Sequence, residues 1–160
     1  MSKLNVVEVP NIILSQTSDV VSEFDDSLKQ LVTDMFDTMR ANNGIGLAAP
    51  QVGILKRLFI CDYENIQLVC INPELELYGD EVESEEGCLS IPNILATVNR
   101  YDCVNVTAYD INGNVFSKSF SGMMAIILQH ENDHLDGVLI NQKAIHTRYD
   151  NGKMIDNNEV

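Results

Sequence analysis

Apolar residues recur along the chain with two different periods, which divide it into helical and extended segments. The first helical stripe consists of Leu28, Leu31, Val32, Met35 and Met39. Residues three and four positions apart share one helical face, so this spacing predicts a helix over Asp26–Ala41, which Asn43-Gly44 would stop. A second helix is predicted over Gly122–Asp136 and ends at Gly137. Its first two turns are apolar on every side, which is typical of a central, buried helix.

Between the two helices the pattern is that of short extended segments separated by turns. Strands are predicted at Arg57–Asp62, Ile66–Ile71, Glu74–Tyr78, Ile94–Arg100, Cys103–Asp110 and Val115–Phe120. The Asn-Gly pair within Asp110–Asn114 accepts positive φ and therefore predicts a hairpin turn. Gly44–Gly53 (GIGLAAPQVG) is too rich in small residues for a helix or strand and is predicted to be a loop. A run of strands with two separated helices indicates an α+β fold, with mostly antiparallel sheets around the second helix.

The C-terminal residues carry a weaker pattern than the rest of the chain. From Lys143 onward the sequence is polar, rich in Asn and Asp, and without a helical stripe. Such a segment buries little apolar surface to offset the entropy that it loses on ordering. We therefore expect one folded domain over residues 1–145, followed by an undocked polar tail over residues 146–160.

Composition limits the classes of protein that fit this chain. With 160 residues, of which 45% are hydrophobic, it can bury an ordinary core, and no apolar run is long enough to cross a bilayer. A net charge of −14 argues against direct binding of nucleic acid or of an anionic membrane surface. The N-terminus lacks a signal-peptide pattern, and four cysteines are too few for a disulfide framework, so a cytoplasmic location is expected.

The strongest chemical signal lies inside the second predicted helix, in the sequence HENDH over His130–His134. Side chains four residues apart lie on one helical face, so His130 and His134 can reach the same metal ion. Glu131 then stands beside the open position of that ion, where it can accept a proton from water. The alternative, two core histidines beside a surface glutamate, does not explain why polar groups interrupt an apolar helix.

Two histidines do not complete a metal site, and the third ligand separates the classes of metallohydrolase. A metzincin would carry a histidine where this chain has Ile140. A thermolysin-like enzyme would use a later glutamate, and the only one is Glu159, next to the C-terminus. His146 follows too closely after the helix to be a suitable third ligand. The third ligand is therefore expected upstream, where Cys88, in the turn-like sequence EEGCLS, is the best thiolate.

Three motifs, in this order, resemble those of the peptide deformylase family. They are GIGLAAPQ at Gly44–Gln51, EGCLS at Glu86–Ser90 and QHENDH at Gln129–His134. Their spacing and flanking residues extend the similarity over most of residues 30–142. One motif alone would be suggestive, whereas the ordered set of three is highly specific.

The resemblance assigns the metal and proton chemistry to four side chains. Cys88, His130 and His134 resemble the metal ligands, which leave one tetrahedral position for water. Glu131 resembles the general base, which afterwards passes its proton to the leaving amine. A Cys/His₂ ligand set suits zinc, iron or nickel by its softness. The resemblance favours Fe(II) as the native ion, with Zn(II), Ni(II) or Co(II) as replacements.

The other implied roles concern the substrate. The Gln51 side-chain amide and the Leu89 backbone N–H resemble the donors that stabilise the oxyanion when the formyl carbon becomes tetrahedral. Gly46 has no Cβ, so its loop can approach the substrate, and its carbonyl is expected to bind the formylated amide. The methionine side chain is expected in a hydrophobic pocket formed by Ile45, Ile126 and the stem of Glu86.

Charged residues near the motifs are expected to support the site. Glu86 and Arg100 resemble a buried ion pair that props the Cys88 loop, and the alternative is two unrelated surface charges. Asp133 is a candidate partner for the ligand histidines, which usually donate their second ring N–H to a carboxylate or carbonyl.

The implied reaction is hydrolysis of the N-formyl group from the N-terminal methionine of newly made polypeptides, with release of formate. The chain lacks the basic tail with which some relatives dock on ribosomes, so its expected partners are nascent N-formylmethionyl peptides and at most a transient ribosome contact. A monomer is expected. Two alternatives are a general metallopeptidase, which lacks a downstream ligand here, and a structural metal-binding domain. The second would have no use for Glu131 beside an open position.

Overall fold

The first predicted helix is present over the expected residues, Asp26–Ala41 (α1), in the computed structural model, which describes residues 3–150. The Asp25 carboxylate accepts a hydrogen bond of 3.0 Å from the Leu28 N–H and so caps the start of α1. The apolar stripe faces the core, where it packs on strand residues that include Leu58, Ile60 and Ile71.

Within residues 3–150, six strands form one sheet, and each of their pairings is antiparallel. They are β1 (Gly46–Ala48), β2 (Leu58–Tyr63), β3 (Ile66–Cys88), β4 (Ile91–Tyr109), β5 (Val115–Ser121) and β6 (His146–Tyr149). The strand order is β1-β2-β3-β4-β5, and β6 pairs with the first part of β4. The predicted α+β class with antiparallel pairing is confirmed.

The predicted strands that flank short breaks are joined in the structure into two long strands. Ile66–Ile71 and Glu74–Tyr78 both belong to β3, and Ile94–Arg100 and Cys103–Asp110 both fall within or at the end of β4. The register of the pairing between β3 and β4 shifts three times, the last time between Glu86 and Cys88. Bulges bend a strand without ending it, whereas in the sequence they break the alternation and resemble strand ends.

The prediction that Gly44–Gly53 is a loop is wrong for most of this segment. Gly46–Ala48 forms β1 and pairs with β2, and Ala49–Val52 forms a 3₁₀ helix. Leu47 and Ala48 are completely buried. Strand formation depends on the partner strand and on burial more than on local propensity, so small residues at a packed sheet edge can still form a strand.

The second predicted helix is present as α2 (Met123–Leu135), and a short helix, α3 (Ile140–Lys143), follows it. The buried residues of α2 pack on Phe59, Cys70 and Val106 of the sheet, so the central position predicted for this helix is confirmed. Gly137 follows α2 with φ +72°, and a Cβ there would lie 2.6 Å from the Ser15 backbone. Only glycine fits this helix end.

The expected undocked tail is partly contradicted by the structure. His146–Tyr149 forms β6 and pairs with Ile94–Thr97 of β4. His146 Nε2 lies 3.0 Å from Thr97 Oγ1, and Arg148 donates two hydrogen bonds to the Glu85 carboxylate, of 2.6 and 2.9 Å. Backbone pairing orders this segment although it buries few apolar groups. Residues 151–160 lie outside the described part of the chain, and the domain division at 145/146 stays a prediction.

Among residues 3–150, no helix has the length and the hydropathy that spanning a membrane requires.

Loss of β6 is expected to weaken the fold measurably. A chain that ends at Ile145 loses the β6 backbone pairing that a chain ending at Asp150 retains. We expect a cost of about 2 kcal/mol and a Tm lower by about 4–8 °C, measured by calorimetry on both truncations. The control is Arg148→Ala in the longer chain, which removes only an exposed ion pair and should shift Tm far less. Equal Tm values for the two truncations would show that β6 contributes nothing to stability.

Candidate active site

Three side chains that can bind a metal converge where the end of β3 meets α2. Cys88 is the last residue of β3, while His130 and His134 lie one turn apart on α2. Their ligand atoms all lie within 4.8 Å of one another, and Cys88 Sγ is 3.6 Å from His134 Nε2. The structure thus brings together the Cys/His₂ set that the motifs predicted. A thiolate and two imidazoles suit zinc and other transition metals.

The charges around this cluster also fit a cation. Burial, together with the charges of His130 and Arg100, holds the pKa of His134 well below its usual range, so it is the neutral imidazole that binds metals. Burial opposes charge on His130 as well, but Glu131, Cys88 and Glu86 raise its pKa well above the usual range. The site therefore favours one positive charge at this point, which either a proton or a metal ion can supply.

Glu131 lies beside the cluster in a buried position. Its Oε2 is 3.9 Å from His130 Nε2, and its Oε1 has no hydrogen-bond partner within residues 3–150. Burial raises the pKa of Glu131 to about 7. β1 passes so close that a Cβ on Gly46 would lie 2.6 Å from Glu131 Oε2. The absence of a side chain at Gly46 is what allows the carboxylate its place.

The Gln51 side chain is oriented toward Cys88 by hydrogen bonds at both ends. Its Oε1 accepts a bond of 3.0 Å from the Ala48 N–H, which turns its amide nitrogen toward the cluster. That nitrogen lies 3.5 Å from Cys88 Sγ and 3.2 Å from Ser90 Oγ. The role of Ser90 was missed from the sequence, where its only signal was its place two residues after Cys88.

Glu86 and Arg100 form a buried, bidentate ion pair, so the predicted pairing is confirmed. Arg100 Nε and Nη2 donate to the two carboxylate oxygens over 2.9 and 2.8 Å, and the side chains are 2% and 7% exposed. Glu86 Oε1 also accepts from His130 Nδ1 at 2.9 Å. Burial opposes ionisation, but the hydrogen bonds from Arg100 and His130 outweigh it and lower the pKa of Glu86 to about 2.

Asp133 does not contact a ligand histidine, in contrast to the expectation from the sequence. It accepts from Arg100 Nη1 at 2.7 Å and from Lys143 Nζ at 3.0 Å. Glu86 takes the place beside His130, because β3 runs along the face of α2 that carries the histidines. Asp133 therefore supports the cluster only indirectly, by holding Arg100.

Removal of the Arg100 charge is expected to destabilise the fold strongly. Arg100→Met retains an apolar stem but leaves the Glu86 carboxylate buried without its main partner. Breaking a buried pair in this way typically costs about 3–5 kcal/mol, which corresponds to a fall in Tm of about 10 °C. The matched control is Arg40→Met, which breaks a more exposed pair with Asp62 and should cost about 1 kcal/mol or less. Similar Tm shifts in the two variants would contradict the assigned role of the buried pair.

The cluster opens into a cleft of about 680 Å³ between α2, β1 and the end of β3. Nine of the ten residues predicted for the site line this cleft, and the tenth, His134, lies in the metal-capable cluster. Those nine are Ile45, Gly46, Gln51, Glu86, Cys88, Leu89, Ile126, His130 and Glu131. Ile45 is 45% exposed at the rim, whereas Glu86 and Glu131 are buried in the walls. The cleft can therefore admit a side chain next to the cluster.

Comparison with known proteins identifies the family. The sequence matches the family model described as polypeptide deformylase over residues 3–149. It is 43% identical over 149 residues to a peptide deformylase of Zymomonas mobilis subsp. mobilis, with 87% of this chain and 84% of the relative covered.

Solved structures agree with this match. Peptide deformylase from Thermotoga maritima superimposes with a TM-score of 0.88 at 35% identity, covering 90% of this chain and 99% of that one. A peptide deformylase from Synechococcus elongatus, in complex with actinonin, gives a TM-score of 0.86 at 42% identity, covering 88% and 78%. Sequence and fold agree over nearly all of the described residues, and we conclude that this chain belongs to the polypeptide deformylase family, whose members are metallohydrolases that remove N-formyl groups.

Proposed function

We propose that this chain hydrolyses the N-formyl group of the N-terminal methionine of newly made polypeptides and releases formate. The observation that carries the proposal is the position of Glu131, buried beside a metal-capable cluster at the bottom of an open cleft. A structural metal site needs no unpartnered carboxylate of this kind. A site that activates water needs one within reach of the reacting atoms.

Cys88, His130 and His134 are the residues that would hold one divalent ion. When bound, such an ion supplies Lewis acidity, which lowers the pKa of water and polarises a carbonyl. We propose Fe(II) as the native ion and Zn(II), Ni(II) or Co(II) as replacements, because a mixed thiolate and imidazole set accepts all of them. Glu86 keeps the His130 ring in place through Nδ1, which leaves Nε2 directed toward the cluster.

Glu131 is proposed to move the proton in the reaction. It accepts a proton from the attacking water and then donates it to the amide nitrogen that leaves with the peptide. Its Oε1 has no hydrogen-bond partner within residues 3–150, so the carboxylate is free to carry the proton between these two transfers. The absence of a Cβ on Gly46 leaves room for this carboxylate beside β1.

Three further residues are proposed to bind the reacting amide. The Gln51 amide nitrogen and the Leu89 backbone N–H would donate hydrogen bonds to the formyl oxygen as it gains negative charge. The orientation of Gln51 is set by its bond from the Ala48 N–H, so little reorganisation is needed. The carbonyl of Gly46 would accept a hydrogen bond from the formylated N–H.

The methionine side chain is proposed to enter the part of the cleft between Ile45, Ile126 and the stem of Glu86. All three line the same cleft as the cluster. The Glu86 carboxylate is held by Arg100 and His130, so its methylene groups are the part available to the substrate. Burial of an apolar side chain there would supply binding energy and orient the formyl group.

The decisive experiment measures formate from formyl-Met-Ala-Ser and compares it with acetyl-Met-Ala-Ser and with the unblocked peptide. We expect formate release from the formylated peptide alone. The peptide bonds between Met, Ala and Ser should stay intact in all three peptides. Cleavage of the unblocked peptide would identify a metallopeptidase instead. Stoichiometric metal without hydrolysis of any peptide would identify a structural metal-binding domain.

The proposed setting of the reaction follows from its substrate. Formylated N-termini belong to nascent chains, so we propose that the protein works as a cytoplasmic monomer with at most transient ribosome contact. The net charge of −14 disfavours stable binding to ribosomal RNA. Cell fractionation and co-sedimentation with ribosomes at low and physiological salt would test this setting.

A further inference from the structure

Side chains of β3 and α2 contact each other at regular intervals along both elements. Cys88 lies beside His134, with Sγ 3.6 Å from Nε2, and Glu86 lies beside His130, with Oε1 2.9 Å from Nδ1. Two residues of a strand and four residues of a helix both span about 6–7 Å. Contacts can therefore recur every two residues along β3 and every four residues along α2. Ser84 lies two residues before Glu86 on β3. By the same spacing, it should lie beside the α2 residue that is one turn before His130.

The residue one turn before His130 is Ile126, and Ser84 and Ile126 line the same cleft. Ser84 also lies on the same face of β3 as Glu86, since side chains alternate along a strand. It is 8% exposed, and its partner on β4, Val98, is buried. Ser84 therefore forms part of the wall of the proposed methionine pocket, together with Ile126 and the stem of Glu86.

The Ser84 hydroxyl is available to a ligand. Within residues 3–150 it makes no hydrogen bond, whereas the neighbouring Glu86 carboxylate is occupied by Arg100 and His130. Glu85 points to the opposite face of β3 and binds Arg148. Because serine is small, it leaves space in the wall of the proposed methionine pocket. Its unpaired hydroxyl can donate one hydrogen bond to a ligand there.

We propose that Ser84 is a specificity-determining residue, which allows this enzyme to deformylate peptides whose first residue is methionine sulfoxide. The proposal rests on the proposed function and concerns the side chain that the same site accepts. A thioether is a weak hydrogen-bond acceptor, but oxidation of methionine adds a strong acceptor oxygen near the end of an unbranched side chain. The Ser84 O–H can donate to that oxygen, whereas an aliphatic residue there would leave it buried and unpaired.

The test compares three formylated peptides on the native, metal-loaded enzyme and on variants of Ser84. The peptides begin with methionine, norleucine or methionine sulfoxide and are otherwise identical. Ser84→Thr and Ser84→Val have nearly the same shape but differ in the hydroxyl, and Ser84→Ala removes the hydroxyl without adding volume. The quantity measured is the ratio of kcat/KM for the sulfoxide peptide to kcat/KM for the methionine peptide. A general loss of activity in a variant cancels in this ratio.

We expect the native enzyme and Ser84→Thr to hydrolyse the sulfoxide peptide with similar ratios. In Ser84→Ala and Ser84→Val the ratio should fall about tenfold, the effect of one lost neutral hydrogen bond. The norleucine peptide controls for length, and its ratio to methionine should change much less.

Two results would overturn the inference while leaving the proposed function intact. The first is hydrolysis of the methionine peptide but not of the sulfoxide peptide by the native enzyme. The second is the same sulfoxide-to-methionine ratio in Ser84→Val as in Ser84→Thr and the native enzyme. No hydrolysis of the methionine peptide by the native, metal-loaded enzyme would overturn the proposed function, and this inference with it.

Discussion

Glu131→Gln is expected to retain its metal and to lose deformylase turnover by roughly 10²–10⁴-fold. The substitution preserves the shape of a buried side chain, so the three candidate ligands should stay in place. A carboxamide cannot accept the proton of water, and Glu86, the other buried carboxylate that lines the cleft, is held by Arg100. Elemental analysis and formate release, measured on the same preparation, separate metal binding from chemistry.

The control for this substitution is Glu74→Gln, which neutralises an exposed glutamate on β3 outside the cleft. It should leave both metal content and turnover unchanged. Near-normal turnover in Glu131→Gln would place the general base elsewhere. Loss of the metal together with activity would mean that Glu131 acts as a ligand and not as a base.

The parts of the fold that the sequence predicted best depend on neighbours within one element. The bounds of α1 follow from its own apolar stripe and its Asp25 cap, so the prediction and the structure agree. The same holds for His130 and His134, because a helix brings residues four apart onto one face whatever surrounds it. Local spacing therefore sufficed for two of the three candidate metal ligands.

Features that depend on contacts distant in the sequence were harder to predict. β1 forms because Gly46–Ala48 finds a partner in β2, which propensity alone does not reveal. β6 forms because β4 offers it a free side between Ile94 and Thr97. In both cases the backbone pairing supplies a reason for order that the side chains of the segment do not carry.

The supporting residues of the site show the same limit. The resemblance pointed to Glu86 and Arg100 as a pair, but it did not show that Glu86 also holds the His130 ring. That contact joins residues 44 positions apart and exists only because β3 runs along α2. Ser84 gave no sequence signal, because a serine in a strand is ordinary until its neighbours are known.

Cys88→Ala is expected to abolish metal binding and, with it, activity. Two imidazoles remain in the variant, and a transition metal held by only two protein ligands should be lost on dialysis. The fold should persist, because Cys88 is half-buried at a strand end and the Glu86–Arg100 pair does not depend on its sulfur. Metal content per chain, circular dichroism and formate release measure the three properties separately.

The matched control is Cys103→Ala, a half-buried cysteine on β4 outside the cleft. It should retain its metal and its turnover. Binding of the ion to the native state also raises stability by linkage, so added Zn(II) should raise the Tm of metal-free native protein and of Cys103→Ala. In Cys88→Ala the same addition should leave Tm nearly unchanged. Full metal occupancy in dialysed Cys88→Ala, or a native-like rise in its Tm, would remove Cys88 from the metal site and require another residue as the third ligand.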